Sequence, residues 1–402
     1  MSRVDVSFLG RPLGTLAEAR GGIVFEYALE FLARRIELSP FNLATRPGVL
    51  ARGGTPTMRL PGLFEDSLPD AWGQRVLLAW FRAQKIAPHS VSALMQLSYL
   101  GRRTLGALTY APALEVTAGG ASLEAIFHAS AELEASRETD LAVLAHVGSP
   151  AGGARPKAVL ALAPDASGRV HLGPPEEAPS GFVPSIVKFD TADEGELGAM
   201  EEAYARLARA AGLDVPPTRL IETSVNRQTR RHFAVARFDR DAMRARIHYH
   251  SLAGLLEAGG GDLDYRHLLR ATRRLARDER EVWKAFRQAV FNVLAENRDD
   301  HGKNVGFLLR DGEWKLAPAF DLTPLSRAQL PERGMAVLGE RRAANASHLL
   351  ALAQSESLDA ARAREIVAEV RAAIERWREF ADAAGVTALR AAEWEAELRR
   401  LR

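Results

Sequence analysis

The run Asn297-Arg298-Asp299-Asp300-His301-Gly302-Lys303-Asn304 is the densest polar stretch of the chain. Every residue in it except Gly302 can ionise or coordinate a ligand. Apolar segments flank it on both sides: residues 290–295 have the character of a buried helix and residues 305–309 that of a strand. Surface loops more often mix their charges with Ser, Pro and Glu. The composition therefore favours a loop that carries chemistry.

The spacing within this run is typical of phosphoryl transfer. Asp299 and Asn304 are five residues apart, as are the Asp of protein kinases that accepts the substrate hydroxyl proton and the Asn that holds Mg²⁺. Asp300 has no Asn at the same offset. Asp321 follows a hairpin predicted around Asp311-Gly312 and fills the place of a second ligand for Mg²⁺. Together the two segments predict a site that uses ATP and Mg²⁺.

The upstream sequence supplies the other parts of such a site in the expected order. The Gly-rich run Gly148-Ser149-Pro150-Ala151-Gly152-Gly153 precedes a strand and can present backbone N–H groups to phosphate. Lys188 ends the strand Ile186-Val187-Lys188, as the phosphate-binding Lys of kinases does. The helix that follows offers Glu201 and Glu202 as ion-pair candidates for this Lys, and the sequence does not decide between them.

Lysine usage supports this interpretation. Only six of the 53 basic residues are Lys, and three of the six, Lys157, Lys188 and Lys303, lie in the motifs above. Arg is the default basic residue of the chain. A retained Lys therefore indicates a position that needs a compact ammonium rather than a planar guanidinium.

Composition excludes several other classes of protein. The chain has 402 residues, 47% of them hydrophobic and 26% charged, and a formal net charge of +2, which is typical of a globular protein and not of a disordered chain or a strongly basic nucleic-acid binder. The absence of Cys excludes disulfides and thiolate chemistry. No apolar run has the length of a membrane helix, and the charged start is unlike a signal peptide, so we expect a soluble, cytoplasmic protein without membrane contact.

The periodicity of apolar residues predicts a strand-rich lobe followed by a helical lobe, with an α+β module in front. The module has a hairpin over residues 3–16, a strand at 22–27 and a helix that ends near Lys85 with Ser67 as its cap. Further strands are predicted at 158–162, 185–189 and 232–236, with a helix from Glu196 to Ala211 between them. The chain is mainly helical from residue 250. For the pair His248 and His250 a packing role is favoured over a zinc site.

In this order the motifs resemble the HipA-type serine/threonine kinases, the toxin components of bacterial toxin–antitoxin modules, over nearly the whole chain. The segments that carry the resemblance are 63–70, 101–108, 153–157, 186–189, 236–240, 297–304 and 317–324. The resemblance implies an α+β, two-lobed, protein-kinase-like fold. It divides the chain into an N-terminal module at 1–112, a strand-rich lobe at 113–240 and a helical C-terminal lobe at 241–402.

The resemblance also implies roles for individual residues. Asp299 would be the catalytic base, Asn304 and Asp321 the Mg²⁺ ligands, and Lys188 the ligand of the α- and β-phosphates. The residues expected to contact ATP are Gly152, Gly153, Ala154, Arg155, Pro156, Lys157, Lys188, Ala236, Arg237, Phe238, His301 and Lys303. Ser149 would be the site of autophosphorylation, since kinases of this type modify a Ser of the Gly-rich loop.

The partners implied by the resemblance are a HipB-like antitoxin of helix-turn-helix type and a translation-related protein substrate, such as an aminoacyl-tRNA synthetase. DNA would be contacted only indirectly, through the antitoxin. Two alternatives remain open at this point. One is a kinase-fold enzyme that acts on a small molecule, and the other is an inactive or weakly active scaffold in a DNA-bound antitoxin complex.

Overall fold

The computed structural model describes residues 2–20, 22–52, 58–116, 120–147, 153–165, 168–191, 196–225, 228–259 and 261–400. The chain forms two compact units, each built from more than one segment. The first unit consists of Met1–Asp193, Ile221–His250 and Gly254–Glu257. The second unit consists of Glu194–Leu220, Ser251–Ala253 and Ala258–Arg402.

The first sheet of the first unit has the strand order β4-β3-β2-β1-β5, with antiparallel neighbours. Its strands are β1 (Arg3–Phe8), β2 (Arg11–Ala19), β3 (Gly22–Tyr27), β4 (Val49–Arg52) and β5 (Leu108–Ala111). In β1, Val4, Val6 and Phe8 are buried and Arg3 and Asp5 are exposed, because successive side chains of a strand point to opposite faces. The hairpin and the third strand predicted here are confirmed.

Four helices accompany this sheet among the described residues: α1 (Leu29–Leu32), α2 (Gly62–Glu65), α3 (Ala71–Ala83) and α4 (Ala93–Leu100). The prediction that Ser67 caps α3 is wrong, because the residue that precedes the helix is Asp70. With Ser67 as the cap, Leu68 would be the first helical residue, and Pro69 disfavours helical backbone there. The Ser67 hydroxyl instead accepts a hydrogen bond from the Tyr110 hydroxyl, at 2.7 Å.

The second sheet has the order β7-β6-β8-β10-β9 and belongs to the first unit except for residues 218–220 of β9. Its strands are β6 (Lys157–Leu162), β7 (Val170–His171), β8 (Val183–Lys188), β9 (Thr218–Val225) and β10 (Gln228–Ala236). Helices α5 (Leu123–Glu134) and α6 (Leu141–Val147) contribute to the same core, in which Trp72 of α3, Ile126 of α5 and Val187 of β8 pack together. The strands predicted at 158–162, 185–189 and 232–236 correspond to β6, β8 and β10.

The second unit is mainly helical. Its helices are α7 (Leu197–Ala210), α9 (Tyr265–Ala276), α10 (Glu279–Leu294), α11 (Ala346–Ser355), α12 (Ala360–Glu375), α13 (Trp377–Ala384) and α14 (Ala388–Arg399). Strand β11 (His248–Ser251) and helix α8 (Leu252–Leu256) include residues of both units. Helix α7 is the one predicted between Glu196 and Ala211. None of the helices in the described ranges is both long and apolar enough to cross a bilayer.

A short hairpin of the second unit joins β12 (Gly306–Arg310) to β13 (Glu313–Leu316), with Phe307 opposite Leu316. The two residues between the strands, Asp311 and Gly312, both have positive φ, at 53° and 82°. Two-residue turns of this kind need positive φ at both positions, which Asp-Gly adopts readily. The predicted turn is therefore confirmed. It leads the chain from the polar run 297–304 towards Asp321.

Candidate active site

The polar run 297–304 begins where α10 ends. Glu296 adopts a positive φ of 58°, which terminates the helix. Arg298 is completely buried and anchors the start of the loop. Its guanidinium forms a 2.9 Å ion pair with Glu296 and donates to the backbone carbonyls of Leu330 and Pro331. A fully buried arginine thus fixes the base of the loop.

Asp299 and Asp300 have opposite environments. The Asp300 carboxylate is fully buried and accepts hydrogen bonds from the Tyr265 hydroxyl at 2.6 Å, the Arg333 guanidinium at 2.8 Å and the Gly334 backbone N–H at 2.7 Å. The Asp299 side chain keeps 35% of its surface exposed. Asp299 is therefore the carboxylate of this pair that a solute can reach.

Asn304 closes the loop onto Asp299. Its side-chain N–H donates to the Asp299 carbonyl at 2.8 Å, and its backbone N–H donates to the His301 carbonyl at 2.8 Å. The carbonyl oxygen of the Asn304 side chain is the atom that suits a hard cation. His301 accepts a hydrogen bond from the Lys303 backbone N–H at 3.3 Å, and its Nε2 lies 3.5 Å from Asp299 Oδ1. The five-residue spacing is thus folded into one compact turn.

The segment around Asp321 is joined to this turn through Asn297. The Asn297 side-chain oxygen accepts the Thr323 backbone N–H at 3.2 Å, and the backbones of Asn297 and Pro324 form an antiparallel bridge. Asp321 itself has a φ of 52°, a left-handed conformation that few residue types other than Gly, Asn and Asp adopt. The structure therefore brings together the two segments that the sequence assigns to Mg²⁺.

The donors present fit Mg²⁺ only if phosphate completes its coordination. Among the described residues no group of three His, Cys, Asp or Glu side chains is placed to hold a metal ion. Asn304 and Asp321 offer one amide oxygen and one carboxylate. Mg²⁺ is commonly held by one or two protein carboxylates together with water and substrate phosphates, so this donor set suits Mg²⁺ delivered with a nucleotide.

In the first unit, Lys157 and Lys188 are direct partners across β6 and β8. Directly opposed residues of an antiparallel pair lie on the same face, and both lysines are buried. The Lys188 ammonium also lies 5.7 Å from the centre of the Phe233 ring. This face of the sheet therefore carries two ammonium groups side by side.

Pro156 and Lys157 are held firmly at the start of β6. The Pro156 carbonyl accepts the Phe189 backbone N–H at 2.9 Å, and the Lys157 carbonyl accepts the Trp72 indole N–H at 2.9 Å. Gly153, Ala154 and Arg155 precede them in the described part of the chain, and Gly153 has a φ of 96°. Two predicted residues, Ser149 and Gly152, lie outside the described residues.

The predicted adenine segment contains a side chain that the protein itself engages. Arg237 donates to both oxygens of Asp239, at 2.9 and 2.6 Å, and to the Thr104 carbonyl at 3.2 Å. Its backbone N–H donates to the Pro184 carbonyl at 2.8 Å. The Arg237 guanidinium and the Arg237 backbone N–H are therefore both engaged within the protein.

The remaining predicted residue, Glu202, lies on α7 in the second unit. It is buried and accepts a 2.7 Å bond from the Arg206 guanidinium, and its second oxygen has no hydrogen-bond partner among the described groups. Glu201 is buried beside it. Lys188 belongs to the first unit, so the pairing with Glu202 stays a prediction.

His248 and His250 serve packing in the first unit. The His250 ring contacts Asp66 Oδ2 at 2.6 Å and the Ser39 hydroxyl at 3.0 Å, and His248 Nε2 donates to the Leu38 carbonyl at 3.2 Å. Both rings are buried. These contacts explain the pair without a metal ion.

Sequence reasoning did not identify the residues that surround Asp300. Tyr265, Asn292 and Arg333 come from distant parts of the chain and meet Asp300 only in the folded second unit. The one signal available was Asp300 itself, an acidic residue next to Asp299 without an Asn at the kinase spacing.

The overall fold of this chain is similar to that of a solved structure. A solved structure described as the HipA, HipB and operator DNA complex of Shewanella oneidensis MR-1 contains a chain that covers 98% of this protein and is itself covered to 95%, with a TM-score of 0.69 and 16% identity. At this identity the likeness shows the fold alone, and it confirms the predicted α+β, two-lobed, protein-kinase-like fold.

Sequence relatives are more local. A Sinorhizobium fredii (strain NBRC 101917 / NGR234) protein named "Putative kinase Y4mE" is 34% identical over 161 residues, which are 37% of this chain and 36% of that protein. The match thus spans about a third of the relative's length. The family model for the HipA N-terminal domain matches residues 4–111, and that for the HipA-like C-terminal domain matches residues 149–377. The chain belongs to the HipA family.

Proposed function

We propose that this protein is an ATP- and Mg²⁺-dependent serine/threonine protein kinase that acts as a HipA-like toxin. The observation that carries the proposal is the closed turn in which Asn304 binds the Asp299 backbone while Asn297 binds the segment after Asp321. This turn leaves the Asp299 carboxylate accessible and brings the two segments that carry the proposed Mg²⁺ ligands together. The membership of the HipA family supports the same activity.

In the proposed reaction the Asp299 carboxylate accepts the proton of a substrate hydroxyl. The hydroxyl oxygen forms a bond to the γ-phosphorus of ATP, the bond from that phosphorus to the β–γ bridging oxygen breaks, and ADP leaves with the electron pair. Asn304 and Asp321 would hold Mg²⁺, which neutralises charge on the β- and γ-phosphates when it is bound. Lys157 and Lys188 would add positive charge at the phosphates, as their placement on one sheet face supports.

The finer parts of the proposal rest on the family. The protein substrate would be related to translation, such as an aminoacyl-tRNA synthetase, and Ser149 would be autophosphorylated in the Gly-rich loop. The partner would be a HipB-like antitoxin of helix-turn-helix type, through which DNA is contacted. The structure described as a complex of HipA, HipB and operator DNA supports this choice of partner.

The proposal can be tested by incubating the purified protein with radiolabelled ATP, Mg²⁺ and a bacterial lysate. We expect label in one protein band, and label in Ser or Thr after acid hydrolysis. Asp299→Asn preserves the shape of the side chain but removes the proton acceptor, so transfer should fall about 10²- to 10⁴-fold. The matched control is Asp382→Asn, which changes an exposed residue of α13 and should transfer label normally.

Other outcomes separate the alternatives. Label found only in small molecules would support a small-molecule kinase. Transfer by Asp299→Asn at the wild-type rate would remove Asp299 from the reaction. A wild-type protein that binds a HipB-like partner but transfers no label would favour the scaffold.

A further inference from the structure

A chain of buried hydrogen bonds runs through the second unit from the Asp321 segment to Asp300. We propose that this chain, here called the polar relay, is a positioning device that fixes the proposed base Asp299 relative to the proposed Mg²⁺ ligand Asp321. The inference rests on the proposed kinase function. The relay consists of the Thr323 backbone N–H and the side chains of Asn297, Asn292, Tyr265 and Asp300.

Every link of the relay has hydrogen-bonding geometry. The Thr323 N–H donates to Asn297 Oδ1 at 3.2 Å, and Asn297 Nδ2 donates to Asn292 Oδ1 at 2.9 Å. Asn292 Nδ2 donates to the Tyr265 hydroxyl at 2.9 Å, and this hydroxyl donates to Asp300 Oδ2 at 2.6 Å. All donors therefore point the same way, towards the carboxylate.

This common direction fixes the orientation of each member. A Tyr hydroxyl has a single proton to donate, and Tyr265 gives it to the charged Asp300, so the hydroxyl oxygen must accept from Asn292. Asn292 then presents its oxygen to Asn297, and Asn297 presents its oxygen to Thr323. Burial together with the Asp300 carboxylate raises the pKa of Tyr265 well above its usual value. The hydroxyl therefore keeps its proton, and the order of donors is maintained.

Bulk water does not reach any member. Asn292, Asn297 and Asp300 are each 2% exposed, and Tyr265 is completely buried. A buried polar group that loses its partner cannot recover it from solvent. Displacing one member would therefore disturb its neighbours rather than be absorbed locally.

The two ends of the relay adjoin the two proposed functional residues. Asp300 follows Asp299 directly, and it also accepts N–H bonds from Gly334, whose backbone packs so closely on His301 that an added Cβ would lie 2.4 Å from the His301 nitrogen. Thr323 is two residues beyond Asp321. The ion pair with Arg333 already compensates the Asp300 charge. The hydrogen bonds of Tyr265 and Asn292 are therefore not needed to neutralise Asp300, and we assign to them the orientation of its carboxylate.

Two variants break the relay at different places. Tyr265→Phe removes one hydroxyl and keeps the ring, and Asn297→Ala removes the link to Thr323. The assay uses the full-length protein and MgATP, and its readout is the labelled protein band described above. We expect Tyr265→Phe to lower kcat about 10- to 100-fold with little change in the KM for ATP, because small misplacements of reacting groups have effects of this size. Asn297→Ala should also raise the Mg²⁺ concentration needed for half-maximal rate.

Two further measurements separate positioning from general destabilisation. The double variant should be no slower than the slower single variant by more than about twofold, since a chain broken once no longer connects its ends. Amide hydrogen exchange at Thr323, whose N–H donates to Asn297, should increase in Tyr265→Phe, although the side chains of Asn297 and Asn292 separate Thr323 from Tyr265 in the relay. The matched control is Tyr99→Phe, a fully buried Tyr of the first unit whose hydroxyl donates to the Ala145 carbonyl at 2.8 Å; it should change neither kcat nor this exchange.

The outcomes are distinguishable. Wild-type protein without phosphoryl transfer overturns the proposed function, and this inference with it. With active wild-type protein, the inference alone is overturned if Tyr265→Phe keeps wild-type kcat and exchange, or if the effects of the two single variants multiply in the double variant. It is also overturned if Tyr99→Phe loses as much kcat as Tyr265→Phe.

Discussion

Two buried aspartates, Asp239 in the first unit and Asp300 in the second, have closely similar local chemistry. Each accepts the backbone N–H of a glycine, from Gly106 at 2.6 Å and from Gly334 at 2.7 Å. Each also forms an ion pair with a buried arginine, at 2.6 Å and 2.8 Å. In both places an aspartate joins segments that are far apart in the sequence.

The surroundings of the two carboxylates differ. Asp239 lies among arginines: Arg237 and Arg240 both bind it, and Arg240 and Arg246 also donate to the Gly106 carbonyl. Asp300 has a single arginine, and its other side-chain partner is the neutral Tyr265 hydroxyl. The charged cluster at Asp239 gains energy from several charge-assisted hydrogen bonds, whereas the neutral chain at Asp300 passes an orientation from one side chain to the next. We infer that Asp239 serves mainly stability and Asp300 mainly geometry.

The pKa of Asp239 reflects this charge density. Burial alone would raise it, but Arg237, Arg240 and the Gly106 N–H hold it well below its usual range. Burial in turn lowers the pKa of Arg240 to about 9. A carboxylate with a depressed pKa stabilises the fold at pH values above its unfolded pKa, near 4, and this contribution is lost as the pH falls further.

The largest expected effect is the loss of stability on removal of the Asp239 carboxylate. Asp239→Ala leaves Arg237 and Arg240 buried without their main counter-charge, so the free energy of unfolding should fall by about 3–5 kcal/mol. Urea unfolding of the full chain, followed by far-UV circular dichroism, measures the loss. A loss below about 1 kcal/mol would show that the arginine cluster around Asp239 does not stabilise the fold. The proposed difference in role between Asp239 and Asp300 would then be wrong.

The next effect concerns acid sensitivity of the first unit. Burial lowers the pKa of His248 to about 3 and that of His232 to about 4. Both rings are therefore neutral in the folded protein, whereas in the unfolded chain they take up a proton below about pH 6.5. Each should cost about 1.4 kcal/mol of stability per pH unit as the pH falls from 6.5 towards its folded pKa.

Unfolding at pH 7.5, 6.0 and 5.0 tests this prediction. His232→Asn should flatten the pH dependence by the share of one histidine, and the matched control His89→Gln, at an exposed position, should leave the slope as it is. Stability that is constant between pH 7.5 and 5.0 would contradict the assignment of neutral, buried rings.

The parts of the site that the sequence predicts are those encoded by local spacing. Asp299 and Asn304 are five residues apart, and a hydrogen bond from the Asn304 side chain to the Asp299 carbonyl joins them within the loop. The strands and α7 likewise follow from local periodicity. The prediction of Ser67 as a helix cap fails because the effect of Pro69 on the backbone outweighs the capping preference of Ser. Local patterns carry no information on which remote residues meet.

Asp300 and Lys157 show where such prediction ends. Tyr265 and Arg333 lie 35 and 33 residues from Asp300 in the sequence, so their contacts depend on how α9 and the segment after Asp321 pack. The opposition of Lys157 and Lys188 depends on the register of β6 and β8. A shift of one residue would place the two ammonium groups on opposite faces. Neither fact follows from the order of residues alone.

The smallest expected effect comes from an exposed ion pair, which serves as a comparison for the buried pair at Asp239. Asp165 and Arg169 in the first unit form a 3.0 Å pair, only slightly longer than the pair of Asp239 and Arg237, but both side chains are more than half exposed. Solvent screens such a pair, so Asp165→Ala should change the free energy of unfolding by less than about 1 kcal/mol, and 1 M salt should reduce the change further. Urea unfolding beside Asp239→Ala gives the ratio directly. If both variants lose similar stability, the distance between the charges determines the strength of an ion pair. If only Asp239→Ala loses stability, burial determines it. The role of Asp300 must then be judged from its effect on kcat, because its buried ion pair alone does not distinguish it from Asp239.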